Sequence, residues 1–103
     1  MAAQLDQQVR DAIAAKRLLQ LRYHGALRVV EPHDYGILKG TARLLVYQLR
    51  GAAGASRKSA SGWRLLDVPL IEACTVMAET FPGSRGASHQ RHHEWDVVYA
   101  RVA

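Results

Sequence analysis

The chain has one cysteine, Cys74, three prolines and a single phenylalanine in its 103 residues. One thiol closes no internal disulfide, so the sequence is no disulfide-stapled scaffold and suits a reducing compartment. Within "LIEACTVMA" nothing positive adjoins Cys74, which reads as a small buried residue rather than a reactive thiol. No apolar run approaches the roughly 18 residues of a membrane span, and "MAAQLDQQVRDAI" carries acids and lacks the apolar core of a signal peptide. A cytoplasmic protein with no membrane partner is therefore expected. GxxxxGK[ST], GxGxxG and CxxC are all absent, as is any repeat of about 20 to 50 residues, which removes the usual nucleotide-hydrolysing and zinc-ribbon readings. Acids are missing from one long stretch: between Tyr35 and Leu66 there is none.

That same stretch holds six basic residues, Lys39, Arg43, Arg50, Arg57, Lys58 and Arg64, within a chain of net charge +5. Folded onto one face, they would make a positive patch for phosphates or nucleic acid; spread over loops, they would be a solvated surface. Hydrophobic residues are 49% and charged residues 22%, the composition of an ordinary globular protein. The length allows one domain, residues 1–103, with one core and no cleft between lobes.

From Gln4 to Lys16, Leu5, Val9, Ala12 and Ile13 recur at spacings of three and four, predicting an amphipathic helix. At Leu19 the period changes to two, and "HGA" turns the chain into "LRVV". "EPHDYG", with Pro32 and Gly36, reads as the bend ending that second strand. "KGTA" then separates two further strands, and residues 51–62, all Gly, Ala, Ser, Arg and Lys, read as a flexible loop. A strand pattern resumes at Trp63, with Pro69 at a bulge, bend or edge; residues 83–94 form a second flexible loop before "WDVVYARVA". One N-terminal helix followed by about seven short strands predicts a mainly β fold, a small curled sheet or barrel.

Glu31, His33 and Asp34 could do acid–base chemistry, but they stand too close in sequence to choose their geometry, so "RVVEPHDYG" is read as a polar corner and no catalytic residue is assigned. Arg28 differs: on an open strand face its guanidinium could hold a carboxylate or phosphate bidentately, or pair at the surface with Glu31. His89, His92 and His93 with Glu94 and Asp96 offer donors for zinc or nickel, yet adjacent His92 and His93 point apart on an extended loop, and no metal is expected. "GASRKSASG" lacks the strand-to-helix setting of a phosphate loop. Trp63 and Trp95 could stack on bases or cover barrel ends.

"VRDAIAAKRLLQLRYHG", "LRVVEPHDYG", "LLVYQLRG" and "WRLLDVPLIEACTV...TF", in that order over roughly residues 9–81, resemble the WYL-domain family. Its members are bacterial ligand-sensing modules, usually joined to a helix-turn-helix in transcription regulators. The resemblance implies a small SH3-like (Sm-like) β-barrel that binds nucleic acid or charged small ligands on one face. Carried over by position, it marks Arg28 and Arg64 as anion contacts with Tyr23 and Tyr47 as aromatic neighbours; the residues themselves add Trp63 as further stacking surface and His33, otherwise a polar corner residue, as a ligand contact. Two departures stand out: Leu44, Leu45 and Val46 occupy the signature tripeptide, and Asp67 and Leu70 stand where the family has basic residues. The expectation is a stand-alone, non-enzymatic regulatory module without cofactor, recognising a nucleotide-like anion or single-stranded nucleic acid. The alternative is an interaction module that has lost this site and homodimerises or docks on another protein.

Overall fold

The computed structural model describes residues 2–51, 61–86 and 94–103. Helix α1 spans Ala2–Ala15 and buries Val9, Ala12 and Ile13, the stripe that the spacing anticipates. Its exposed side is tied by Asp6 to Arg10 and Gln7 to Asp11, both four residues apart. Lys16, at φ 55°, ends it in the left-handed conformation.

Among the described residues six strands follow: β1 Arg17–Tyr23, β2 Ala26–Leu38, β3 Thr41–Gly51, β4 Gly62–Asp67, β5 Ile71–Thr80 and β6 Val97–Arg101. Each of the first two hairpins turns on a residue pair with positive φ, His24–Gly25 and Lys39–Gly40. Such pairs match the twist of the flanking strands, so the turns sit where the sequence marks them. The sheet is antiparallel, in the order β4-β3-β2-β1-β5, with β6 on the far half of β2.

The edge strands β4 and β5 are not paired with each other, so the sheet does not close into a barrel. They are nevertheless joined by a single 3-10 turn, Val68–Leu70, which holds Pro69. Three residues at about 2 Å each span little distance, so the sheet must curl until its two edges approach. Inside the curl, Leu19, Leu21, Val30, Leu44, Val46 and Leu66 meet Val9 and Ile13 of α1. Each such side chain contributes about 1.5–3 kcal/mol by leaving water.

"EPHDYG" is not a corner. β2 runs through it for 13 residues, with a bulge at His33. On one flank β2 pairs with β1 over residues 26–30 and with β6 over 34–37. Pro32 falls between those stretches, in the part of β2 that has a strand on one side only, which is how a proline without N–H enters a central strand. Two expected strands thereby merge into one, so the described residues hold six strands where the pattern suggests about seven.

Candidate functional site

Alternation along the strands decides which candidates can meet. Val30, Gln48 and Gly62 lie across from one another, as do Glu31, Tyr47 and Trp63 one step along, so these two rows face opposite sides of the sheet. Arg28 follows the first row, opposite the buried Leu21, and Arg64 lies opposite the buried Val46. Arg28 and Arg64 therefore share the concave face, at its rim, while Tyr47, Trp63 and His33 belong to the outer face.

At the rim the half-buried Arg28 donates from Nη1 to Gln48 Oε1 at 3.1 Å and from Nη2 to the Tyr23 carbonyl at 3.4 Å. Its guanidinium lies 5.4 Å from the centre of the Tyr23 ring, and Tyr23 Oη accepts the Asp67 N–H at 3.0 Å. Every one of these Arg28 contacts is neutral, and its buried Nε has no hydrogen-bond partner among the described residues. Arg64 donates from Nη1 to the Trp63 carbonyl at 2.9 Å, and the same nitrogen stands 3.1 Å from where a Cβ on Gly62 would be. Gly62 is the cross-strand neighbour of Gln48, so the two arginines flank that buried amide.

The outer face is a separate assembly. Glu31, 5% exposed, accepts Arg85 Nε at 2.8 Å and Nη2 at 2.9 Å, a bidentate pair, while His33 Nε2 lies 3.1 Å from Glu31 Oε1. The Arg85 guanidinium covers the Tyr47 ring at 3.6 Å. His33 is fully buried, its ring edge-on to Trp63 at 4.8 Å and tilted against Phe81 at 5.5 Å. His33 is thus a packed interior residue rather than a polar corner, and Glu31 pairs with Arg85 instead of Arg28. One register step further Asp34, also fully buried, accepts Arg101 Nε of β6 at 3.0 Å. Sequence reasoning missed Arg85 and Arg101, since each lies more than fifty residues from its acid.

The anticipated basic stretch is partly compensated. Arg43 lies 3.3 Å from Asp67 and Arg50 lies 3.7 Å from Glu79, acids outside the stretch. Arg57 and Lys58, most of the 51–62 loop, and His89, His92 and His93 lie outside the described residues, whereas Gly83 and Arg85 of the 83–94 loop lie against the fold. Among the described residues no three metal-ligating side chains come together, and no helix is long and apolar enough to cross a membrane.

A cavity of about 800 Å³ lies elsewhere, between α1, the 3-10 turn and β5, and none of the six candidate ligand residues lines it. On its wall Tyr35 Oη donates to Asp6 at 2.6 Å, a bond that, with Arg10 beside it, holds the Asp6 carboxyl below its usual range. Burial and the same carboxylate push the Tyr35 phenol upward. Cys74 also lines the cavity, and burial raises its thiol to about 11, which agrees with an inert cysteine.

The chain matches no family model, no curated protein and no solved structure.

Proposed function

We propose that this chain is a non-enzymatic, WYL-like regulatory module that binds an anionic ligand, a nucleotide-like molecule or single-stranded nucleic acid, at the concave rim around Arg28. The observation that carries this reading is the half-buried Arg28 guanidinium, oriented by Gln48 and Tyr23 with no carboxylate against it among the described residues. A cation desolvated without a counter-charge costs free energy, and a phosphate supplies what is missing. Arg64 on the same face gives a second positive contact, while Tyr23, 7% exposed and covered by the Arg28 guanidinium, positions that arginine rather than stacking on the ligand. Tyr47, Trp63 and His33 support the outer face and drop out of the proposed site. The meander β1 to β4, with β5 returning to β1 after a 3-10 turn, supports an SH3-like reading of the open, curled sheet.

The test is fluorescence anisotropy with labelled dT and rU oligonucleotides and a labelled nucleotide, at about 50 and 200 mM salt. Two phosphate contacts on a single strand give a salt slope of about −1.4, so the fourfold salt increase weakens binding about sevenfold. Arg28→Ala with Arg64→Ala should abolish binding and its salt dependence. Binding unchanged in the double variant, or no binding of any of the three probes by the wild type, overturns the proposal.

A further inference from the structure

A second surface, made of residues other than those around Arg28, lies along β5. Among the described strands β5 pairs only with β1, so its other edge carries no strand. Gln8 of α1 donates to the Cys74 carbonyl at 3.2 Å, which identifies that carbonyl as pointing outward from β1. The register is regular from Ala73 to Val76, so the N–H and C=O of Val76, two residues on, point the same way. Cavities of about 800 and 560 Å³ lie on either side of Gln8, one lined by Ile71 to Cys74 and the other by Val76, both walled by α1. Together they form a groove along six residues of strand, about 20 Å at 3.3 Å per residue.

We propose that this groove takes up an extended peptide from another protein as an added strand on β5. The edge is guarded at one point, where Gln8 of α1 caps the Cys74 carbonyl, and carries few of the other guards that free strands normally bear. β5 contains no proline and no lysine, and its two acids are engaged sideways, Glu72 by the Gly25 N–H at 3.1 Å and Glu79 by Arg50. The Cys74 N–H and the Val76 N–H and C=O would supply the affinity, and the apolar walls, Leu5, Val68 and Ile71 at one end and Val76 at the other, would receive alternate side chains. Charge selects the class of partner. In a chain of net +5, the groove sets Asp6, Asp11 and Glu72 against Arg10 and Arg17, with Asp6 and Arg10 already paired. A polyanion gains nothing there, whereas a neutral or basic extended segment with apolar residues at every second position is matched.

The probe is the hexapeptide acetyl-Lys-Val-Thr-Val-Thr-Val-amide, added to the full chain and followed by NMR-detected amide hydrogen exchange. Saturating peptide should slow exchange roughly tenfold at Cys74 and Val76 while leaving Ala73 and Thr75, which bond to β1, unchanged. The same peptide N-methylated at all three valines cannot donate to the edge from its valine face and should bind at least about tenfold more weakly. Val76→Pro, which removes an outward N–H, should retain the circular-dichroism spectrum and lose the peptide; the N-methylated probe keeps the test independent of how that variant folds. No protection at about 1 mM peptide overturns the proposal, as does equal binding of the N-methylated form. Protection of Cys74 and Val76 without peptide, accompanied by dimer in sedimentation, would assign the edge to a second copy instead and likewise overturn it.

Discussion

Arg85→Ala removes the cation that covers the buried Glu31. In the wild type, two N–H···O bonds of 2.8 and 2.9 Å reach a carboxylate that is 5% exposed, and the guanidinium lies flat on Tyr47. Bonds to charged groups contribute about 1.5–3 kcal/mol each, so the gross value is about 3–6 kcal/mol. Ordering a long side chain costs up to about 2 kcal/mol, and Arg85 is one-third exposed, so solvent screens part of the attraction. A net loss of about 2–3 kcal/mol follows, equivalent to about 10–20 °C in Tm for a domain of this size. Urea unfolding followed by tryptophan fluorescence measures it, because Trp63 packs on His33, which touches Glu31. The slope of the transition should stay unchanged while the midpoint falls. A cycle with Glu31→Gln should return a coupling of about 2 kcal/mol, since the two variants delete one shared interaction. A loss under about 0.5 kcal/mol for Arg85→Ala would mean an ordinary surface ion pair, and would refute the reasoning that Arg85 compensates a buried Glu31 charge.

Gly36→Ala should detach β6, because a Cβ there would overlap the Val97 carbonyl oxygen and backbone yields poorly; the readout is amide exchange at Val97 to Arg101, and protection like the wild type would count against the close approach. Cys74 should react with a thiol reagent at pH 8 about a hundredfold more slowly than an unhindered cysteine, since raising the thiol from 9.0 to about 11 cuts the thiolate fraction by that factor; a rate within threefold of free cysteine would contradict its burial. Asp6 has a lowered pKa in the folded chain, so its contribution to stability is present above the ordinary carboxylate range and is lost as the pH falls through the folded value. The urea midpoint of Asp6→Asn should therefore drop less than that of the wild type between pH 7 and pH 3, and an equal drop would show that the Tyr35 bond does not favour the charged form.

The local features were legible because they depend on neighbours in sequence. Leu5, Val9, Ala12 and Ile13 recur with the period of a helix, and the helix forms. "HG" and "KG" supply left-handed turn residues, and both hairpins turn there. A resemblance in motif order singled out Arg28 and Arg64, and the register does put them on one face. Alternation alone also separates Trp63 from Arg64, although that consequence needs the register of β3 to become visible.

What the sequence by itself determined is a mainly β chain with one leading amphipathic helix, its turns, and most of its buried stripe, since hydrophobic periodicity and turn chemistry act over a few residues. The tertiary structure decided the rest. Pro32 could stand inside β2 only because β1 ends and β6 begins on either side of it, a pairing spread over the whole chain. Glu31 and Asp34 became buried ions rather than turn residues because Arg85 and Arg101 arrive from more than fifty residues away, and a charge leaves water only when its partner is brought to it. The groove beside β5 exists because the sheet stays open between its edge strands, a property of how the strands close on one another rather than of any segment's composition.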